Sequence, residues 1–488
     1  MDRKRDLALV ALVKTIAVAI VIATGFRAVS DDDFARVVIA QEFAFKPKLD
    51  PTGTSWLPFP FWITGAAMLG AGRTLLVARI TAFLLGVISA VLVALAAQRL
   101  AKNRTAALLG AVLAAAFPWS ARLGVATVPE LPTAALTLFA MASLVGPRDP
   151  RARLFGGLAL LGATLSRYDV WPIAAAFAAL TTLDALRDAD RSFHARDRAL
   201  YFVGATVAAL GPLLWVTWNH FARGNAFDSL DRVAAYRRAL GGGDDAPLAR
   251  LFAYPIAMAR HEPELFFALA ILLGLAALPT LRASARETLR PYARPLALAV
   301  FQLLALSAAL VKDGAPTHHP ERALLVGLLL CALLVGDLAA TLLPRASQKA
   351  RLGAGVAAAL LLVFSLVIVR RWYRGEGFVP RADEVAIGAA ARALVPPGER
   401  ILVEVRDYGH FAVTAALGRP EDVVLDRDLD PRKPAAASSF DAPEGLPRRL
   451  EETRARFLLG RTSSPAAREL GPPRAVVGPF GLWQYGSH

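Results

Sequence analysis

Long apolar runs that recur from the start of the chain almost to position 370 constrain its fold more than any other feature. A hydrocarbon layer ~30 Å thick takes ~20 helical residues to cross, because backbone N–H and C=O groups inside it must satisfy one another. The stretches 7–26, 75–97 and 352–369 meet that demand. With 105–117, 131–145, 154–165, 171–186, 199–220, 264–281, 296–311 and 323–343, they predict an α-helical polytopic membrane protein with about eleven transmembrane helices. Several of these are short, which suits broken, tilted or re-entrant segments. Composition agrees: 55% of residues are hydrophobic and 19% charged, and mean hydropathy is +0.45. The run after the basic start Met1 to Lys4 has no small-residue cleavage site and reads as a retained first helix.

The net charge of +15 is not that of a nucleic-acid binder, because the basic residues sit in short loops rather than on one face. Every second loop is short and basic: Arg3 to Arg5, Arg99/Lys102/Arg104, Arg148/Arg151/Arg153, Arg187 to Arg198, Arg282 to Arg294, and Arg345/Lys349/Arg351. The positive-inside rule puts these and the N-terminus in the cytoplasm. The expected location is the plasma (inner) membrane, crossed several times. The other loops, and a C-terminal domain at 371–488, then face outward. Cys331 is the lone cysteine, so there is no disulfide framework.

Beyond Arg370 the apolar runs shorten. A helix-like segment at 381–394 and strand-like segments at 401–405, 423–425, 457–459 and 475–477 predict a small extracytoplasmic α/β domain. The stretch 426–447, rich in Asp, Pro, Ala and Ser, reads as a mobile loop. No internal repeat of fixed period is present.

The outward loops of the 1–370 membrane domain hold the residues suited to chemistry. In the first, 27–72, three consecutive carboxylates, Asp31, Asp32 and Asp33, follow the first span. Their mutual repulsion beside a low-dielectric layer makes at least one harder to ionise, which suits a general base or a divalent-cation site. They serve equally as the cap of a helix over 34–45. Downstream, Lys46 and Lys48 precede the aromatic, proline-broken stretch Thr54 to Trp62, fitted either to anchor at headgroup depth or to lie along a lipid-linked ligand. Glu130, between Pro129 and Leu131-Pro132, enters a later helix as a costly ionisable group or as an ordinary helix-start carboxylate. Asp169 has Arg167 beside it as a local ion-pair partner. The run His318-His319-Pro320-Glu321-Arg322 offers imidazoles and a guanidinium to phosphate, or marks a helix start. Its spacing and its arginine argue against zinc, and no metal ligands are assigned.

In this order and with this sidedness, Asp31-Asp32-Asp33-Phe34, Leu57-Pro58-Phe59-Pro60, Val128-Pro129-Glu130 and His318 to Arg322 resemble the C-type (GT-C) membrane glycosyltransferases. The resemblance is to the branch that holds protein O-mannosyltransferases and lipid A aminoarabinose transferases. It implies a GT-C-like fold and a sugar donor carried on a polyprenyl phosphate, with inverting transfer on the outer face to a hydroxyl of a lipid, protein or glycan. It also implies Asp31 as base with Asp32 its neighbour, although the third aspartate leaves the register open, and Glu130 as a second acid. Asp33, Arg36, Lys48, Arg167, His318, His319 and Arg322 are the implied substrate and phosphate contacts. No cofactor is implied beyond a possible divalent cation. Two departures stand out: Asp32 replaces the usual Glu, and 223–262 matches no motif.

A lipid or solute transporter is the competing reading, and it predicts internal symmetry with acids deep in the bilayer. A scaffold acting through the C-terminal domain would use Asp407, Tyr408 and His410, which read more simply as a helix start after a strand.

Overall fold

The computed structural model describes residues 2–26, 28–146, 149–187, 195–241, 247–312, 320–363, 380–434 and 436–486. His318 and His319 lie outside the described residues, as does most of the stretch that joins the membrane domain to the C-terminal one.

The chain opens with α1 (Asp2–Ala23), the short amphipathic α2 (Asp31–Phe45) and α3 (Phe59–Ala71), followed by α4 (Leu75–Leu100), α5 (Arg104–Ala116), α6 (Pro118–Leu123) and α7 (Glu130–Ser143). The bundle continues through α8 (Pro150–Thr164), α9 (Trp171–Arg187), α10 (Ala195–Arg223), α11 (Asp228–Ala239) and α12 (Pro247–His261). Then come α13 (Pro263–Ala276), α14 (Arg282–Leu289), α15 (Ala293–Val311), α16 (Pro320–Ala323), α17 (Leu325–Leu342) and α18 (Gln348–Val363). Among the described residues six helical stretches are long and apolar enough to cross a membrane: 3–23, 75–100, 168–187, 195–223, 282–311 and 325–345. The expected crossings near 105–117, 131–145, 154–165 and 264–281 form helices of 13 to 15 residues, shorter than a straight crossing needs.

In lipid no hydrophobic force draws apolar helices together, so close backbone approach does that work. A Cβ on Gly157 would stand 2.2 Å from the Gly204 carbonyl oxygen, so α8 and α10 meet backbone to backbone only because both positions lack a side chain. Gly110 and Gly336 do the same between α5 and α17, the most enclosed of the spans. Lys14, midway along α1, is fully buried and donates to the Ser120 carbonyl and, at 3.0 Å, to its hydroxyl.

The basic loops gather at one end of the bundle. There Arg104 meets Asp6, Lys102 meets Glu287, Arg99 meets Asp149, and Arg153 and Arg294 share Asp184. At the other end the segment expected to be irregular over 54–62 is so only as far as Pro58: this is the N-cap of α3, and Pro60 falls in its first turn, where a missing N–H costs nothing. The unassigned 223–262 region forms α11 and α12. Arg223 ties α11 to the first outer loop through Asp50 (2.6 Å) and Asp228 (2.8 Å), and Arg232 donates to the Gly53 carbonyl.

The C-terminal domain is the expected α/β unit. It comprises α19 (Ala382–Leu394), β1 (Arg400–Val403), α20 (His410–Leu417), β2 (Val423–Leu425), α21 (Leu446–Thr453), β3 (Ala455–Arg461), β4 (Ala475–Val477) and β5 (Phe480–Gln484). The sheet order is β2-β1-β3-β5-β4, parallel across the first three strands and antiparallel beyond. Side-chain alternation sends Ile401, Phe457 and Leu459 toward the core shared with α19 and α20, and Leu402 and Leu458 toward Phe440, Leu446 and Leu450. Phe440 is fully buried and Asp426 holds the Ser438 hydroxyl, so parts of the stretch read as a mobile loop pack onto the sheet, while 432–434 and 436–437 stand exposed.

Candidate active site

At the end opposite the basic loops, the starts of α2, α7, α9 and α17 bring the carboxylates and guanidiniums of distant segments together. Ser30 and Asp33 form a reciprocal capping box at the start of α2. Asp33 Oδ2 accepts from the backbone N–H groups of Val29 (3.1 Å) and Ser30 (3.2 Å), and Oδ1 from the Thr127 N–H (3.0 Å). Its contacts are those of a cap that also pins the loop before α7. Burial pushes the Asp33 carboxyl up to about 6, against the opposing pull of the Thr127 and Ser30 N–H groups and of Arg322.

With Asp33 turned inward, Asp31 and Asp32 face different partners. Arg322 Nη1 donates to Asp32 Oδ2 at 2.8 Å and lies 3.9 Å from Glu130, while its Nη2 donates to the Ser30 hydroxyl at 2.8 Å. Arg381, the N-cap residue of α19 in the C-terminal domain, holds both oxygens of Asp31 at 2.9 Å.

Glu130, at the first position of α7, has a fully enclosed side chain. Arg167 bridges it to Asp169, with 2.7 Å contacts to each. Burial opposes the charge on Arg167, but Asp169 and Glu130 outweigh it and hold the guanidinium more firmly protonated than usual. Gln302 from α15 donates to the Asp169 carbonyl at 2.9 Å. These groups and Thr133 and Thr137 of α7 line a small cavity, closed on its other sides by apolar residues such as Val170 and Leu325.

Arg36, one turn into α2, is buried with its guanidinium 4.3 Å from the Trp56 ring centre and 5.6 Å from that of Phe61. The proline-rich segment thus reaches the cluster through an arginine–aromatic stack. Lys48 stands exposed near Glu42, outside the buried cluster. Among the described residues, Glu130 Oε2, Arg322 Nε, Arg36 Nε and the Thr133 hydroxyl are buried in the cluster without a hydrogen-bond partner. Buried polar groups are nearly always satisfied, so an acceptor, two cationic donors and a hydroxyl left open together mark a place for a polar ligand.

The arrangement does not fit a divalent ion. The three aspartates diverge to Arg381, Arg322 and Thr127, and the described residues contain no group of three or more His, Cys, Asp or Glu that could hold a metal. Sequence reasoning missed Arg381, whose contact with Asp31 spans 350 positions, and Glu262, which is buried and accepts from the Trp119 N–H at 3.0 Å. An Asp-rich helix start in need of a counter-ion was a signal for a distant arginine, though not for which one.

Fold and site together define a multi-pass membrane protein of the GT-C fold, with a polar cluster at one end of the bundle and an α/β domain docked over it. The chain is similar to ArnT from Cupriavidus metallidurans. The crystal structure of that protein bound to undecaprenyl phosphate matches with a TM-score of 0.61 at 14% identity, covering 99% of this chain and 97% of that one. Its apo crystal structure matches with a TM-score of 0.57 at 14% identity, covering 98% and 97%. A family model described as dolichyl-phosphate-mannose-protein mannosyltransferase matches residues 51–218, a stretch that contains Glu130 and Arg167. No curated protein matches in sequence.

Proposed function

We propose that the chain is an integral-membrane inverting glycosyltransferase that moves a sugar from a polyprenyl-phosphate donor to an acceptor hydroxyl at the outer face of the membrane. The observation that carries this reading is the Arg322–Asp32 and Arg167–Glu130 network, with Arg36 beside it, in which Arg322 Nε and Arg36 Nε are buried without a partner among the described residues. A phosphate ester is an anion that such donors suit, because its charged oxygens accept from one N–H of each guanidinium. The mannosyltransferase family model and the undecaprenyl phosphate held by the ArnT structure add support.

In the reaction an acceptor oxygen attacks the anomeric carbon while the carbon–oxygen bond to phosphate breaks. A carboxylate at the start of α2 takes the acceptor proton, and Arg322 and Arg36 receive the charge that develops on the departing phosphate. Asp31 or Asp32 is that base. Glu130 and Arg167 hold the floor of the site and meet sugar or acceptor hydroxyls. The basic loops at the far end support a cytoplasmic side for that end and an outer side for the site.

The test is transfer of radiolabelled sugar from synthetic polyprenyl-phosphate donors by membranes that hold wild type, Asp31→Asn, Asp32→Asn or Glu130→Gln at matched expression. Loss of transfer in one aspartate variant supports the reading and fixes the register. Full activity in all three variants removes the base assignment.

A further inference from the structure

The C-terminal domain docks on the bundle largely through α2. Phe34, Val37 and Val38 of α2 pack with Ala412 and Ala415 of α20, and Gln41 Nε2 donates to the Ala415 carbonyl at 2.8 Å. Away from the site, Arg73 and Glu421 form a two-pronged pair at 2.6 and 2.8 Å. Docking is therefore supplied by an apolar patch, a buried amide and a peripheral ion pair.

Arg381 adds something different. Its Nε and Nη2 bind the two oxygens of Asp31, while Nη1 donates to Glu384 at 2.9 Å and lies 3.2 Å from Asp407. Three carboxylates fix the plane of this guanidinium, and the plane in turn fixes Asp31. Three adjacent acids on one helical turn repel one another, and the fold separates them: Asp31 to Arg381, Asp32 to Arg322, Asp33 to the Thr127 and Ser30 N–H groups. Were Arg381 absent, the charge of Asp31 would lose its counter-ion beside Asp32, and the repulsion between the two neighbours would disturb the Asp32–Arg322 pair.

We propose that Arg381 is a positioning residue for transfer: by holding Asp31 it keeps the Asp32–Arg322 pair in place, so the C-terminal domain is a working part of the site. This rests on the transferase reading.

The experiment compares purified wild type, Arg381→Ala, Arg381→Lys and Arg73→Ala in lipid nanodiscs. Arg381→Ala is expected to lower kcat by ~10-fold or more with the donor KM changed less than about twofold, the pattern of misplaced reacting groups. Arg381→Lys recovers part of the loss, since it keeps the charge without the fork. Arg73→Ala, which breaks a docking pair away from the site, stays near wild type. Equal or higher kcat in Arg381→Ala overturns the proposal, as does an equal loss in Arg73→Ala, which would reduce Arg381 to a docking contact. Amide hydrogen exchange separates this from failure of the transferase reading. If wild type transfers from no donor, faster exchange across 31–36 in Arg381→Ala and not in Arg73→Ala still supports positioning, and unchanged exchange overturns it.

Discussion

Both ends of the helical bundle are tied by arginine–carboxylate pairs, but the pairs differ in what surrounds them. At the basic end Arg99 and Asp149 keep 32% and 40% of their side chains exposed, and each pair joins two neighbouring loops. Pairs in such wet surroundings contribute little and are screened by salt. At the acidic end the Glu130 and Arg322 side chains are 1% and 5% exposed, four helix starts converge, and several buried polar atoms of both charged and hydroxyl groups are left without a partner among the described residues. Charges are costly to enclose, and evolution has no need to leave them short of partners for stability alone. We read the first end as a seam and the second as the candidate site. Asp184, shared by Arg153 and Arg294, shows that the basic end has an enclosed pair as well, with Arg153 Nη1 left without a partner among the described residues, but it is one carboxylate between two arginines and not a meeting of several acids and guanidiniums.

The largest effect that would sharpen this contrast is expected from Glu130→Ala. It leaves Arg167 and Arg322 enclosed with one counter-ion fewer, and such a loss costs about 3–5 kcal/mol. Both transfer and the thermal unfolding midpoint in detergent should fall, whereas Glu130→Gln should spare much of the stability. Next is Arg322→Lys, which keeps the charge but cannot hold Ser30 and Asp32 together. Donor transfer should fall by ~10-fold or more while the unfolding midpoint moves little. A smaller effect comes from pH. Folded Asp33 binds its proton up to about pH 6, above the ordinary aspartate range near 3.8, so between those values the folded state holds more protons than the unfolded one. Stability should therefore decline as pH rises through that window, and the slope should flatten in Asp33→Asn when the two are compared by thermal melts. The smallest effect is at the seam: Arg104→Ala should leave transfer and melting unchanged. A large loss there would break the comparison.

What the sequence made legible follows the same division. Apolar length located six long spans, while four of the expected crossings are shorter helices and the one expected at 352–369 runs beyond the described residues; the basic loops gather at one end, as their alternation implied. Period-two patterns located the strands at 423–425 and 475–477 to the residue. Glu130 and Arg322 stood out because charged groups beside long apolar runs need a reason. The rest depended on distance or context. Nothing local to Arg381 or Asp31 points to the other, and Arg381 looks like any residue before a helix. The helix α3 was hidden because Pro58 and Pro60 were read as breakers, although prolines at a helix start are harmless. The strand β5 was overlooked because Gly481 interrupts its pattern, and that glycine sits close against the Trp483 ring.

The most direct test of the difference between the two ends is binding of a polyprenyl monophosphate, with the alcohol of the same chain length as control. It would be measured on purified wild type, Arg322→Ala and Arg104→Ala. The account predicts that wild type and Arg104→Ala prefer the phosphate by ~10-fold or more and that Arg322→Ala loses the preference. Loss of the preference in Arg104→Ala with its retention in Arg322→Ala would place the phosphate at the basic end and contradict the account.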